Sequence, residues 1–310
     1  MERPFTVYFD TNFFIWLCGA DEMLAKETIN NLNTLRVRHV LSDVLFRELL
    51  SSKGRTAYDQ TLVGRVKQLE IPPYCTSNYL TWDALLYSGL ERNSIADLFK
   101  LLDKLLTKAH SHSIVARRIA NEGLDANRLS ELEKSMEPFL KENGFSLKPE
   151  DKEENLKSAQ VFTEKMINFL KEVIPNPPFS GELKFSDDPT ENSKMLFGLL
   201  NPKDIEAIRE ENRLHDSVTY SEDRPYKVAS GIADDNTETN LGNTLRDTER
   251  MKTFILHKDE IDLLQVDKAQ MNIITAKSSK HRIADLGLSN RCFSAHSLSE
   301  VIETIRRIRG

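Results

Sequence analysis

The feature that most constrains this chain lies at its start. Phe5, Thr6, Val7, Tyr8 and Phe9 form a short run rich in β-branched and aromatic residues. The run stops on Asp10, Thr11 and Asn12, and a second apolar run, Phe13, Phe14, Ile15, Trp16 and Leu17, follows at once. A continuous apolar run bounded by a polar break reads as a strand covered on both faces, so the expected fold class is α/β, a parallel sheet flanked by helices. In such sheets the ligand crevice lies just outside the carboxyl ends of the strands, which makes an acid there a candidate to meet a ligand or metal. Asp10 can also act as cap to the next helix, with Thr11 and Asn12 as further cap residues, and this segment alone leaves both roles open.

Other acids recur in the same setting. Val44, Leu45 and either Glu48 or Leu49 fall three and four residues apart on a helix that Ser42 or Asp43 can cap. A Glu within an otherwise apolar stripe points toward the interior or a crevice. Residues 243–256 read as a second helix, with Leu245, Met251, Phe254 and Ile255 on its buried side and Asp247 near its start. Residues 261–267 then read as a short strand that again ends on an acid, Asp267. Carboxylates gathered in one crevice repel one another, which raises their pKa values unless a cation compensates. Hard oxygen ligands of this kind select Mg2+ or Mn2+, ions that can activate a water and neutralise charge on a scissile phosphate. Asp10 is the expected central ligand, with Glu48, Asp247 and Asp267 completing the set and Thr11 and Asn12 orienting it. Asp262 either joins as an orienting residue or only positions its strand.

These residues resemble the motifs of the PIN-domain nuclease family: Asp10, Thr11 and Asn12 after the first strand, Glu48 in the helix after the second, and Asn243 and Asp247 paired with Asp262, Asp267 and Lys268. Residues 291–302, which read as a last short strand and a capped helix, fit as well. The resemblance covers 1–50 and 241–310, which it implies are a PIN-like nuclease domain, leaving 51–240 as a mostly helical insertion. It implies a metal-dependent nuclease, with RNA as the expected substrate and a toxin or phage-defence effector as a common setting. Gln265 and Val266 stand where the family carries Thr or Ser shortly before the Asp, which motivates a rival reading as a catalytically degenerate protein- or RNA-binding scaffold. A structure-selective DNA nuclease is the rival enzyme.

Asp216, after His215, competes with Asp247 for the helical role, but residues 220–225 after it break regular structure. Asp234 and Asp235 sit in the polar stretch 231–242 and read as a solvated turn. The net charge of −6 argues against a basic nucleic-acid binder overall, so local clusters matter more. Lys268, Lys277, Lys280 and Arg282 are the candidate phosphate contacts, against the alternative of a solvated face.

In the insertion, Ile95, Leu98, Leu101, Leu102 and Leu105 mark one helix and residues 159–170 another, with Pro138 and residues 148–155 as interruptions and 174–181 as a linker or sharp turn. His110 and His112 do not share a helical face. Trp16, Trp82, Tyr74, Tyr79 and Tyr87 could include a base-stacking platform, although burial is the simpler reading, above all for Trp16. No apolar run spans a bilayer, and three scattered cysteines form neither a zinc pattern nor a disulfide framework, so a cytoplasmic setting without membrane is expected. A second copy or a regulatory protein is the expected partner of the insertion.

Overall fold

Val7, Tyr8 and Phe9 are almost wholly buried, as a strand with neighbours on both sides and helices on both faces must be. In the computed structural model this strand, β1 (Phe5–Tyr8), is the middle of a five-stranded sheet of order β3-β2-β1-β4-β5. The other strands are β2 (Val37–Leu41), β3 (Tyr74–Cys75), β4 (Leu263–Gln265) and β5 (Cys292–Phe293). Every pairing is parallel, with Val7 opposite both His39 and Leu263, and Leu264 opposite Cys292. The structure describes residues 3–51, 56–78, 80–88, 92–142, 153–158, 161, 202–218 and 223–309. The stretches 159–170 and 174–181, and Tyr79, therefore lie outside the described residues, apart from Val161.

Parallel strands need crossovers, and helices supply them. Thr11–Gly19 and Glu22–Thr34 lead from β1 to β2, the latter capped by Asp21, whose side chain accepts from the Leu24 N–H at 2.8 Å. Ser42, directly after β2, caps Asp43–Leu50 by accepting from the Leu45 N–H at 3.3 Å. Beneath the sheet, Tyr8, Val40, Met251, Phe254, Ile255 and Leu264 form one core. Phe9, Phe13 and Phe14 form a ring cluster, with Phe9 and Phe13 stacked at 4.0 Å, and Phe14 packs against Trp82.

The chain divides into two compact units, 1–100 with 206–218 and 246–310, and 101–205 with 219–245. The unit with the sheet thus takes in residues 51–100, assigned to the insertion from sequence, because Thr56–Val66 and β3 complete the sheet layer. A two-residue strand is too short to show periodicity. The second unit is helical among the described residues, with Val115, Leu132 and Ala229 at its core.

Two local readings are corrected. Pro138 does not interrupt a helix; it lies exposed inside Ala126–Glu142, where the lost backbone bond is tolerated at the surface. Residues 234–242 are not a solvated turn: Asp234 accepts from the Thr237 N–H at 2.6 Å and caps a helix running Asp235–Leu256. The N-cap Asp with acids in the first turn was the available signal. No helix among the described residues is long and apolar enough to cross a membrane.

Candidate functional site

Strands β1 and β4 are neighbours at the centre of the sheet, where the strand order reverses, and their carboxyl ends face the crevice that such a switch point leaves. Gln265, the last residue of β4 and 1% exposed, joins the two ends: its Oε1 accepts from the Asp10 backbone N–H at 3.3 Å. Asp10 has extended backbone and precedes the helix Thr11–Gly19, yet its side chain makes no cap bond. Its Oδ1 accepts from Arg250 at 2.5 Å and its Oδ2 from the Asn12 side-chain amide at 3.1 Å. The capping alternative for Asp10 is therefore not the one realised by its carboxylate.

Glu48 lies on the helix Asp43–Leu50, and Ser42 sets where that helix starts. The Thr11 hydroxyl donates to Glu48 Oε2, and Arg246 Nε pairs with its Oε1 at 3.2 Å. Asp247, one residue beyond Arg246 on Asp235–Leu256, accepts at Oδ1 from Arg250 at 2.5 Å. One guanidinium, on a side chain 6% exposed, thus bridges Asp10 and Asp247. Asp267, two residues past β4, is exposed and caps the helix Lys268–Thr275 by accepting from the Gln270 N–H at 2.7 Å.

The four acids act on one another. Burial pushes the Asp247 carboxyl up to about 7, and the charges of Asp267, Asp10 and Glu48 push the same way, against the opposing charge of Arg250. Burial disfavours the charged form of Arg250, but Asp10, Asp247 and Glu48 outweigh it and hold the guanidinium protonated. The acids surround the arginine rather than meet at a point: no three of them bring carboxylate oxygens within 4.8 Å of one another. An all-oxygen donor set with more negative than positive charge fits a hard divalent ion.

Asp10, Thr11, Asn12, Glu48, Asp247 and Asp267 are thus brought to one edge of the sheet, with exposed Lys268 next to Asp267. Asp262 is not part of this centre. It precedes β4 at the opposite, amino edge, where its Oδ2 accepts from the Thr6 N–H at 2.8 Å and its Oδ1 pairs with Arg3. The basic segment is also displaced. Because β4 and β5 are parallel, the chain must return to the amino edge between them, and Lys268–Thr275 carries it about 12 Å that way. Lys277 and Lys280 follow that return, and Arg282 is committed to Glu210, with Nε 3.1 Å from the carboxylate. Lys277 instead lines an open cavity of about 620 Å³ with Met271, Ser279, Asp285 and Cys292.

Asp216 is exposed near the end of the helix Pro202–Ser217. His112 donates from Nε2 to the Ala229 carbonyl, 3.0 Å away within the second unit. Trp16 is only half-buried, whereas Trp82 is the buried tryptophan and donates from Nε1 to His39 at 2.8 Å. Arg250 and Arg246 have no role in the sequence reading, and Gln265 enters it only as a departure from the family's strand-end motif. Arg250 had a signal: it falls at the spacing of Asp247, Met251 and Phe254, a charge inside an apolar stripe, as Glu48 is.

No family model, curated protein or solved structure matches this chain.

Proposed function

We propose that this chain is a metal-dependent nuclease with a PIN-like domain, an endoribonuclease working in the cytoplasm. The observation that carries the reading is the gathering of Asp10, Glu48, Asp247 and Asp267, from four separate segments, at the switch point of a parallel sheet. Like charges brought together cost stability, and such an arrangement is characteristic of sites that act on a ligand. Bound Mg2+ or Mn2+ would activate a water and offset charge on the scissile phosphate.

The chain's own groups have distinct tasks. Gln265 ties Asp10 to the end of β4, so the position of the carboxylate follows from the sheet rather than from a loop. Asn12 orients Asp10 from the solvent side, and Thr11 holds one oxygen of Glu48. Lys268, exposed beside Asp267, would meet a substrate phosphate. RNA is the substrate class that the family resemblance favours, with DNA as the alternative.

Two observations favour a second reading, a non-catalytic scaffold: Arg250 already neutralises Asp10 and Asp247 in part, and no three of the four acids converge within the bridging reach that catalysis on a shared ion asks of them. Incubating the full chain with labelled RNA and DNA pools, in Mg2+, in Mn2+ and with chelator, separates the two. The nuclease reading expects RNA cleavage that needs the ion and is lost in Asp10→Asn and Asp247→Ala but kept in Asp216→Ala. RNA binding without ion-dependent cleavage of either pool supports the scaffold instead, and cleavage of DNA alone moves the substrate assignment.

A further inference from the structure

We propose that Arg250 is a resident cation of the acidic centre and limits it to one divalent ion, taken up on the side of Asp247 and Asp267. This rests on the reading of the centre as a metal site. An ion bridging Asp10 and Asp247 through their Oδ1 atoms would compete with the guanidinium, since Oδ1 of each acid is 2.5 Å from it. The arginine cannot leave readily. It is three residues after Asp247 on the same helix, its neighbours Met251 and Phe254 are wholly buried, and its Nε has no partner among the described residues. The two carboxylates are therefore what compensates a buried charge, and breaking such a pair is strongly unfavourable.

Charge balance points to the same stoichiometry. With Asp247 deprotonated, as ion binding requires, the four acids carry four negative charges, and Arg246 and Arg250 bring two positive ones. The remaining two negative charges match one divalent ion. Arg47 and Glu249 pair with each other and leave this balance unchanged. The remainder lies away from Asp10, whose two oxygens already hold Arg250 and Asn12, and Glu48 holds Thr11 and Arg246. Asp247 and Asp267 each make one side-chain bond, through Oδ1, among the described residues.

The test is a calorimetric titration of the full chain with Mn2+, beside Arg250→Met and Arg250→Lys, with circular dichroism reporting the fold of each. One ion is expected in the unchanged chain. Two are expected in Arg250→Met, the first binding about tenfold tighter or more, because a positive charge close to the ion has been removed. Arg250→Lys, which retains the charge, should return to one. Two ions in the unchanged chain overturn the inference, even should Arg250→Met fail to fold. One ion of unchanged affinity in a folded Arg250→Met also overturns it. If neither protein binds Mn2+, the metal reading falls as well, whereas one bound ion without nucleic-acid cleavage keeps this inference and removes only the nuclease activity.

Discussion

The two edges of the sheet carry the same chemistry to different ends. At the amino edge Asp262 is answered group for group: its carboxylate takes the Thr6 N–H and Arg3, while Arg291 donates to the carbonyls of Lys258, Ile261 and Asp262. Both carboxylate oxygens of Asp262 are thus occupied, and the result is a clamp on β1 and β4. At the carboxyl edge four acids face two arginines, and burial first, then the neighbouring acids, push the Asp247 carboxyl up to about 7. Arginine–carboxylate pairing is thus no guide to role by itself. The balance of charge separates a fastening from a centre prepared for an added cation.

The largest test of that contrast is Asp10→Asn, which removes one charge while keeping size. Ion-dependent cleavage of labelled RNA is expected to fall by about a hundredfold or more, with the fold retained. Undiminished cleavage would end the distinction between the edges. The matching change at the other edge, Asp262→Ala, is expected to lower unfolding free energy by about 1–3 kcal/mol in a urea titration, because the Thr6 N–H loses its acceptor. Cleavage by the folded fraction should stay as it was, and a loss of cleavage with unchanged stability would bring Asp262 back into the centre.

Acid provides a third test, with opposite signs in the framework and the centre. Burial lowers His39 and His281 to about 4, from an ordinary value of 6.5. Between those values the unfolded chain binds more protons than the folded one, so the stability these groups allow is present above pH 6.5 and is lost as pH falls toward 4. The loss approaches about 3 kcal/mol for each at pH 4. Asp247, raised instead, favours the fold below its unfolded value near 4, a contribution lost as pH rises through 7. Urea titrations across pH 4–8 should show the histidine slope flattened in His39→Gln, and the rise-through-7 component absent in Asp247→Asn. An unchanged profile in both variants would contradict these assignments.

The smallest expected effect concerns phosphate contacts. Lys268→Ala should reduce the logarithmic salt slope of binding to single-stranded RNA by about 0.7, one counterion's worth. The double change of Lys277 and Lys280 to Ala should leave the slope unaltered, since both lie past the return to the amino edge. The opposite pattern would move the substrate path to that edge.

Much of the framework was legible because local signals and burial agreed. The aromatic and β-branched run before Asp10, the Ser42 cap, the stripe of Met251, Phe254 and Ile255, and the final strand with its capped helix all appear where their spacing implied. Elements lacking such a signal escaped. β3 has two residues, and the first turns of Asp235–Leu256 are polar on most sides, so their place depends on a cap and on tertiary packing.

The sequence by itself determined that strand ends would carry Asp10 and Asp267, that Glu48 would sit within an apolar stripe, and that a parallel α/β sheet would result, because periodicity, capping and apolar runs act over a few residues. Only the tertiary structure decided what these charges do. Which acid meets which cation depends on strand order and on helices far apart in the chain: Asp10 meets Arg250 across 240 positions, and Asp262 meets Arg3 across 259. Burial then amplifies each encounter, since an unpaired charge is costly in a low-dielectric interior, and no local pattern encodes that sum.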